Sequence, residues 1–471
     1  HLGFAFEVVT ADILARYHRL AGRKVFFNTG TDEHGLKIYR RALEEKMAPQ
    51  AYVDLYAAKI SRLKEALNLS YDYFSRTTDP NHLVAAQAFW RRCAAAGDIY
   101  KKNYQIKYCV GCELEKTESE LVNGFCPFHP KLALEIIEEE NYFFRFSKYQ
   151  NQLLKLYEGN SDQLDFVVPK TRLNEIRAFV ERGLQDFSIS RLASKMPWGI
   201  PVPGDGSQII YVWFDALVNY ISALGWPAFA EATAGQSTKF AEYWPATQFA
   251  GKDNLRQQAA MWQAMLMSAG LPPSRQIIIH GFITSGGQKM SKSLGNVIDP
   301  FDLVAEYGTD ALRYFLARHV QPFEDTDVTP DKFKETYNAN LANGLGNLVS
   351  RVMTMASAHL SAPVAMSRRR LDITNNVKGY PSDSIEKFEI NQAIDLIWQK
   401  IGEADLLIQK SEPFKLIKTD HDAALKIIID LCARLHAIGQ MLEPFMPQTS
   451  KTILDLVASN QMPTQPLFPR K

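Results

Sequence analysis

The pattern of hydrophobic and polar positions divides the chain into a first part that mixes strands and helices and a last part that is helical. Apolar residues at helical spacing predict a first helix over residues 4–21, and an apolar run then predicts a strand over residues 24–28. Helical patterns continue to about residue 96. Strand–helix alternation returns after about residue 207 and ends near Asp299, with a strand at residues 276–279.

The stretch from residue 99 to about 187 has short strands and turns, which is typical of an insertion. A hairpin follows, with its turn at residues 203–206 and its second strand at 208–212. Beyond Pro300 the pattern predicts no further strands. Thr329 and Pro330 mark a helix start, and long amphipathic helices reach residue 458, broken by a polar loop near residues 361–383.

This layout predicts an α/β fold: a doubly wound, parallel, Rossmann-like sheet split by an insertion and followed by an α-helical domain. The predicted boundaries are 1–98 and 191–300 for the two halves of the sheet domain, 99–190 for the insertion, 301–345 for a connecting region and 346–471 for the helical domain.

Composition narrows the function classes only modestly. A chain of 471 residues with a net charge of +1 has room for several domains but no overall basic charge that would attract nucleic acid. Arg368, Arg369 and Arg370 form its densest basic run. No apolar run approaches the length of a membrane span, and no signal peptide is visible. Because the chain begins at His1, we expect residues to precede it.

The cysteines predict a metal site rather than disulfides. Cys109 and Cys112, thirteen intervening residues, then Cys126 and His129 provide two ligand pairs on tight turns. Three thiolates and one imidazole close a tetrahedron and leave no position for water, which predicts one structural zinc that stabilises the insertion. The other two of the five cysteines lie in apolar helical patterns and are expected in the core.

A lysine-rich loop follows the strand that ends at His280 and Gly281. Lys289 and Lys292 lie three residues apart, with glycines on both sides of the loop. Two ammonium groups on a glycine-hinged loop suit the spread charge of a polyphosphate. Ligands of open α/β sheets bind beyond the carboxyl ends of the strands, so this position indicates a nucleotide site.

A second motif of the kind that binds phosphate lies at the start of the chain. His1 and Gly3 lie directly ahead of the first predicted helix, where backbone amides and the partial positive charge of the helix end attract anions. Taken alone, such a short His/Gly string is weak evidence.

Together these motifs resemble the two signatures of class I aminoacyl-tRNA synthetases, and over essentially the whole chain the similarity narrows to the methionyl-tRNA synthetase family. Phe4 stands where that family usually has a second histidine. The matching stretches are residues 29–35, the cysteine knuckle at 109–129, and residues 139–145, 200–204, 211–216, 251–253 and 280–296.

The resemblance implies an enzyme that activates methionine with ATP and Mg²⁺ and transfers it to the 3′ end of tRNA(Met). Asp32 would bind the substrate ammonium, and Asn254 and Gln258 depart from the family pattern in the side-chain pocket. The implied methionine-binding residues are Asp32, Trp213, Ala216, Tyr220, Gln258 and Trp262, and the implied ATP-binding residues are His1, Gly3, His280, Gly281, Lys289 and Lys292, among which Lys289, Lys292 and His1 are catalytic.

For tRNA, the resemblance implies anticodon contacts by Asn347, Arg351 and Phe414. The first two lie four residues apart on one predicted helix face, and Phe414 offers a ring for stacking on a base where the family usually has tryptophan. A cytoplasmic monomer is the expected state of such a chain.

Two alternatives stay open at this level. Another class I synthetase is one, although the isoleucine, leucine and valine enzymes carry a far larger insertion and the cysteine enzyme needs an open zinc site. The other is a catalytically inactive relative that only binds RNA, which Phe4 favours and the two loop lysines and Asp32 disfavour.

Overall fold

A computed structural model of the chain describes residues 1–116, 118–159, 165–227, 239–290, 296–365 and 380–471. These residues form two compact units, one of residues 1–27, 63–70 and 281–471 and one of residues 28–62 and 71–280. We call them the helical unit and the sheet unit. Among the described helices, none has the length and hydropathy that crossing a bilayer requires.

Helices make up most of the helical unit, and in the sheet unit helices alternate with strands along the chain. Among the residues that the structure describes, two stretches have π-helical hydrogen bonding, Gln257–Met261 and Tyr337–Gly346. In chain order the α-helices are α1 (Leu2–Leu20), α2 (Leu36–Glu44), α3 (Pro49–Ser61), α4 (Leu63–Ala66), α5 (Pro80–Ala95), α6 (Gln150–Glu158), α7 (Lys170–Glu181), α8 (Val212–Ala216), α9 (Asn219–Ser222), α10 (Lys239–Tyr243), α11 (Trp262–Ser268), α12 (Pro300–Tyr307), α13 (Thr309–His319), α14 (Pro330–Thr336), α15 (Asn347–His359), α16 (Ser382–Glu386), α17 (Ile390–Ser411), α18 (Pro413–Leu416), α19 (His421–Leu442) and α20 (Pro447–Ser459).

The strands are short, apart from two long ones in the insertion. They are β1 (Asn28–Thr31), β2 (Tyr73–Arg76), β3 (Ile99–Cys109), β4 (Leu114–Lys116), β5 (Glu135–Phe144), β6 (Val167–Val168), β7 (Phe187–Ser188), β8 (Ser190–Leu192), β9 (Pro201–Val202), β10 (Asp205–Ile210), β11 (Thr247–Gly251), β12 (Gln276–His280), β13 (Ile283–Ser285), β14 (Gln288–Lys289) and β15 (Thr326–Asp327).

Parallel strands in the sheet unit confirm the predicted α/β class. β1 pairs with β2, and β12 lies between β11 and β6 in a second parallel group. The strand expected at residues 24–28 was misplaced, because β1 begins at Asn28 and continues into the polar residues up to Thr31. The expectation of helices up to residue 96 missed β2, of whose four residues one is buried, two are half-buried and one is exposed.

The insertion is built on an antiparallel sheet in the order β4-β3-β5-β7. It also contains two features that its strand-and-turn pattern did not predict. The helices α6 and α7 lie within it, and β6 pairs in parallel with β12. The hairpin after it was predicted, and β9 and β10 pair antiparallel around a turn at residues 203–204. Its second strand was placed too late in the chain, because β10 spans Asp205–Ile210 and Val212 already begins α8.

Aromatic side chains form the centre of the sheet unit. Phe89 on α5 packs edge-on against Phe214 on α8 and stacks on Trp262, with ring centroids 5.7 and 5.5 Å apart. Phe89, Phe214 and Trp262 are fully buried. Such rings bury a large apolar area, so they hold α5, α8 and α11 together.

The helical unit is held together by α1, α13, α17, α19 and their neighbours. As predicted, Thr329 caps α14: its hydroxyl accepts a hydrogen bond from the Lys332 amide, and Pro330 occupies the first helical position. The expectation that strands end at Pro300 was wrong, because β15 pairs in parallel with β13. The basic run at residues 368–370 lies outside the described residues.

Candidate active site

The loop after β1 carries a charged group to the carboxyl end of a parallel strand. Asp32 is exposed, whereas Glu33 and His34 beside it are buried. Gly30 lets this loop approach β2, because a Cβ atom there would lie 1.9 Å from the Ser75 carbonyl oxygen. Glu33 in turn accepts hydrogen bonds from Arg76 at 2.7 and 3.1 Å, so β2 anchors the loop.

A buried carboxylate, Asp215 on α8, ties this loop to two helices. One oxygen of Asp215 lies 2.6 Å from Nδ1 of His34, and the other lies 2.7 Å from Nε2 of His82 on α5. His82 Nδ1 contacts the Ser222 hydroxyl at 2.9 Å. Burial favours the neutral form of Asp215, but the charges and hydrogen bonds of the two histidines outweigh it and lower its pKa.

The ionisation of Asp32 is shaped by this network. Protein atoms crowd Asp32 although its side chain reaches solvent, and this desolvation, followed by the charge of Asp215, raises the pKa of Asp32 to about 6. Glu33 adds to the shift, and the two histidines oppose it. A carboxylate that is costly to ionise alone gains most from a cationic ligand, so Asp32 suits an ammonium group.

The residues expected to line the side-chain pocket come from α8, α9 and the region of α11 in the sheet unit. Trp213 and Ala216 lie on α8 on either side of Asp215, and Tyr220 follows on α9. The rings of Tyr220 and Trp262 are 6.3 Å apart. Trp213 and Tyr220 are half-buried, whereas Ala216 and Trp262 are fully buried, so two of the three aromatic side chains stay partly accessible to solvent.

Gln258 lies among these residues, on the π-helical stretch before α11. Its Nε2 donates to the Tyr220 hydroxyl at 2.9 Å, and its Oε1 accepts from Gln248 at 2.8 Å. Irregular turns of this kind often occur at functional sites because they re-aim one side chain. Asn254 lies in the preceding 3₁₀ turn and is half-buried.

The four predicted metal ligands converge. Their ligand atoms all lie within 4.8 Å of one another. Cys112 Sγ is 3.4 Å from Cys126 Sγ, and His129 Nδ1 is 3.7 Å from Cys109 Sγ and 4.0 Å from Cys126 Sγ. In a tetrahedral zinc site, neighbouring ligand atoms lie about 3.6–3.8 Å apart, so the spacing of these four ligand atoms suits zinc. Gly111 is required here, because a Cβ atom would lie 2.5 Å from the His129 ring.

The metal knuckle also contacts the pocket. Trp213 Nε1 donates to the Cys112 carbonyl at 3.4 Å, and the Tyr211 hydroxyl donates to the Glu113 carbonyl. The Glu113 carboxylate accepts from the Lys37 amide at 3.2 Å, at the amino end of α2. The conformation of the knuckle therefore bears on both the aromatic pocket and the segment after Asp32.

The residues expected to bind ATP are distributed over both units. In the helical unit, His1 is exposed at the N-cap of α1, Gly3 lies in its first turn, and the backbone of Lys289 pairs with Thr284 of the β13–β14 hairpin. Gly281 approaches the Glu324 backbone so closely that a Cβ atom would lie 2.3 Å from it. In the sheet unit, His280 ends β12. Lys292 lies outside the described residues.

The residues expected to read the anticodon lie in the helical unit. Asn347 is exposed and Arg351 half-buried on α15, and Arg351 forms a 2.6 Å ion pair with Asp405 on α17. Phe414 on α18 is 45% exposed, which is unusual for a large apolar ring, and the ammonium of Lys415 lies 5.9 Å from its centroid. An exposed ring beside a cation is suited to stacking on a base.

Sequence reasoning did not identify Asp215, His34 and His82 as functional. Asp215 and His34 fall inside two of the stretches that carry the resemblance, and this was the available signal. The contact between Asp215 and His34 joins residues that are 181 positions apart in the chain. The contact between Asp215 and His82 joins residues that are 133 positions apart. No periodicity or spacing in the chain reports such a distance.

Comparison with known proteins agrees with this architecture. The family model described as tRNA synthetases class I (M) matches residues 1–132 and 130–353. The methionine–tRNA ligase of Thermosynechococcus vestitus is 41% identical over 96% of this chain and 86% of its own length, and that of Rhizobium meliloti is 39% identical over 97% and 89%.

Solved structures give the same result. Mycobacterium tuberculosis methionyl-tRNA synthetase in complex with methionyl-adenylate superposes with a TM-score of 0.88 at 36% identity, covering 99% of this chain and 92% of that one. The apo form of that enzyme gives a TM-score of 0.81 at 32% identity, covering 100% and 95%. The chain belongs to the methionine–tRNA ligases, a family of class I aminoacyl-tRNA synthetases.

Proposed function

We propose that this chain activates L-methionine with ATP and transfers the methionyl group to the 3′ end of tRNA(Met), with Asp32 and the aromatic pocket holding the amino acid. The observation that carries this assignment is the position of Asp32, whose loop is fixed through His34 to the carboxylate between Trp213 and Ala216. This hydrogen bond holds the proposed ammonium site beside the proposed apolar pocket for an unbranched side chain.

The chemistry needs no nucleophile from the protein. The methionine carboxylate attacks the α-phosphate of ATP and pyrophosphate leaves; a ribose hydroxyl of the tRNA then attacks the acyl carbon, and AMP leaves. The protein contributes positioning and stabilisation of developing charge. Lys289, Lys292 and His1 would stabilise the phosphates together with Mg²⁺, with Gly3 at the helix end and His280 and Gly281 at the adenosine.

Methionine-dependent exchange between pyrophosphate and ATP tests this assignment. The full chain is expected to exchange label with methionine and not with isoleucine, leucine or valine. Failure to exchange with methionine would refute the proposed activity. The same assay without Mg²⁺ tests the proposed cofactor, since the phosphates then lose their main counter-charge.

Cys109, Cys112, Cys126 and His129 would hold zinc, which stabilises the knuckle in the fold. Elemental analysis is expected to give about one zinc per chain. Cys126→Ser should reduce this to well below one, because one thiolate is lost, while Cys432→Ser should not, since Cys432 is buried in α19. Full zinc content in Cys126→Ser would contradict the site.

Methionine binding should weaken in acid. Protonated Asp32 carries no charge to pair with the substrate ammonium, and its pKa is raised to about 6 in the free protein. Affinity should therefore be constant above that pH and fall by about tenfold per unit below it, until the lower pKa of the bound form is reached. Tryptophan fluorescence titration with methionine across this range measures the effect, and a flat profile would contradict the role of Asp32.

Arg351 would act on tRNA and not on adenylate formation. Arg351→Ala is expected to raise the KM for tRNA about 10- to 100-fold, the cost of a lost base contact, with unchanged pyrophosphate exchange. Its ion pair with Asp405 is about one-third exposed, so the effect on stability should be small. Arg434→Ala, which breaks a surface pair on α19, is the control. A parallel loss of exchange would contradict this division of labour.

We also propose a cytoplasmic location for this chain. The three thiols of the knuckle must stay reduced to bind metal, which fits a reducing compartment. The monomeric state and the domain boundaries inferred from the sequence stay predictions.

A further inference from the structure

The turn that follows the second cysteine of the knuckle has an unusual backbone conformation. Glu113 lies in this turn, between β3 and β4, directly after Cys112. Its φ is 52°, in the left-handed region that residues with a side chain rarely adopt. Such conformations cost free energy and persist where the surrounding contacts hold them, often at functional sites. The contacts of Glu113 must therefore stabilise this turn.

One of these contacts is made to the amino end of α2. The Lys37 amide, in the first turn of that helix, donates to Glu113 Oε1 at 3.2 Å. The N-cap of α2 is Gly35, which has no side chain to accept from the first amides of the helix. A Cβ atom on Gly35 would lie 2.3 Å from the same Oε1, so the carboxylate packs directly on this glycine. Glu113 thus caps α2 from a distant segment of the chain.

The backbone of the same turn contacts the start of α8. The hydroxyl of Tyr211, the N-cap of α8, donates to the Glu113 carbonyl. Trp213 in the first turn of α8 donates through Nε1 to the Cys112 carbonyl at 3.4 Å. Two successive carbonyls therefore meet α8, while the side chain of Glu113 meets α2. This one residue joins the amino ends of both helices.

These helix ends carry the two halves of the proposed amino-acid site. Asp32, the proposed ammonium ligand, lies four residues before the start of α2, and Trp213 of the proposed side-chain pocket lies on α8. Because Asp32 is exposed, the backbone of its short loop determines where the carboxylate lies. The contact between His34 and Asp215 holds this loop near its middle, and Glu113 holds it at the end that enters α2.

We infer that Glu113 is a positioning residue, which holds the ammonium site and the side-chain pocket at the spacing that methionine requires without touching the substrate. A site whose two halves are fixed in advance binds more tightly, because less order has to be imposed when the ligand arrives. The cap needs a hydrogen-bond acceptor at this position and does not need its charge. This inference rests on the proposed function and adds to it a residue that acts on the affinity for methionine.

The test compares Glu113→Met with Glu113→Gln in methionine-dependent pyrophosphate exchange. The two side chains are similar in length, but glutamine keeps an acceptor for the Lys37 amide and methionine does not. Glu113→Met should raise the KM for methionine about tenfold, the worth of one hydrogen bond, and leave kcat and the KM for ATP within about twofold of wild type. Glu113→Gln should keep all three within about twofold.

The outcomes separate this inference from the proposed function. Failure of the wild-type chain to exchange with methionine would refute the function itself. If the wild type exchanges and Glu113→Met keeps its KM for methionine, the inference is overturned and the function stands. An equal rise in KM in both variants would also overturn it, because the acceptor would then not matter. Both variants should retain about one zinc per chain, as expected for an intact knuckle.

Glu135→Met is the matched control. Glu135 begins β5 and accepts from Arg40 on α2 at 2.6 and 3.0 Å, so it also joins the insertion to α2, but beyond the first turn of the helix. Both side chains of this pair are about two-fifths exposed. Its loss should leave the KM for methionine within about twofold of wild type. A rise equal to that of Glu113→Met would show that any loosening between the insertion and α2 has the same effect, which would overturn the role of the cap.

Glu113→Gly keeps the inference testable if Glu113→Met loses its zinc. Glycine adopts the left-handed conformation readily and provides no acceptor, so the turn is kept while the cap is lost. A KM for methionine about tenfold above wild type, with full zinc content, is expected. A wild-type KM in this variant would overturn the inference.

A double variant tests whether Glu113 acts through Asp32. The spacing of the two sites matters only while the ammonium site binds, so Glu113→Met added to Asp32→Asn should lower kcat/KM for methionine by less than about twofold. A further fall of about tenfold, equal to the effect in the wild-type background, would show that Glu113 acts independently of Asp32 and would overturn the inference.

Discussion

Replacing Asp32 with asparagine should lower kcat/KM for methionine in pyrophosphate exchange by about 10²–10³. The asparagine amide keeps the shape of the side chain and one acceptor but loses the charge that, in the proposed function, pairs with the substrate ammonium. Truncating one partner of a hydrogen-bonded charge pair costs about 2–5 kcal/mol, which covers this range. The KM for ATP should change little, because the charge acts on the amino acid.

The same substitution should not destabilise the folded chain. The folded-state pKa of Asp32 is raised above the ordinary value of 3.8 to about 6. Folding therefore holds its proton more tightly than the unfolded chain does, and the stability that Asp32 contributes falls as pH rises through about 6. Near neutral pH, Asp32→Asn should leave Tm equal or higher.

Asp72→Asn is the control for a general effect of charge, because Asp72 is exposed at the start of the segment leading to β2. It should leave exchange within about twofold of wild type, as is usual for surface substitutions. If Asp32→Asn lowered Tm strongly and exchange only in proportion, Asp32 would have a structural role instead.

Sequence patterns predicted the elements whose signals are local. Helical periodicity located α1 to within two residues, and a Thr-Pro cap located the start of α14. The spacing of the cysteines and the histidine predicted that the four metal ligands lie together. In each case the interacting residues lie within a few tens of positions. Hydrophobic period and turn chemistry act over this range.

Elements that depend on distant pairing were misjudged. β15 has two residues and no hydrophobic run, and it exists only because its backbone pairs with β13. β6 has the same character, since its two valines are a strand only beside β12. A strand this short is specified by its partner, and its own sequence provides almost no signal.

The candidate site likewise contains residues that the sequence predicted and contacts that it did not predict. The family resemblance supplied Asp32 and the aromatic residues, but not the arrangement of the hydrogen bonds behind them. The sequence showed that Gln258 departs from the family pattern, but it did not show which groups the Gln258 amide contacts. Its contacts in the fold answer this, since both ends of the amide are engaged, one by Gln248 and one by Tyr220.

Arg313→Met should be among the most destabilising single substitutions in the helical unit, at about 3–5 kcal/mol. Arg313 on α13 is completely buried, and its guanidinium lies 2.8 Å from the Asp12 carboxylate on α1. It also donates to the carbonyls of Leu67, Pro444 and Phe445 at 3.0, 2.9 and 2.8 Å. One side chain thus joins two helices to the turns after α4 and α19.

The cost comes mainly from the groups that would be left behind. Methionine fills much of the volume, but Asp12 would remain fully buried, with Arg16 as its nearest cation at 2.8 Å. Burial alone favours protonated Asp12, and the charges of Arg313 and Arg16 outweigh it and lower its pKa. Without Arg313 this pKa should rise, so the variant should lose less stability in acid than at neutral pH.

Urea denaturation of a double variant separates the two contributions. Asp12→Leu with Arg313→Met removes both buried charges, and the pair should cost about 1–3 kcal/mol less than the sum of the single changes. Wild-type stability should not return, because three buried carbonyls still lack the donors that Arg313 supplied. Arg434→Met, on the surface of α19, should cost below about 1 kcal/mol. Strict additivity of the two changes at Asp12 and Arg313 would show that the charges do not act as a pair, and that Arg313 stabilises the unit through its carbonyl contacts alone.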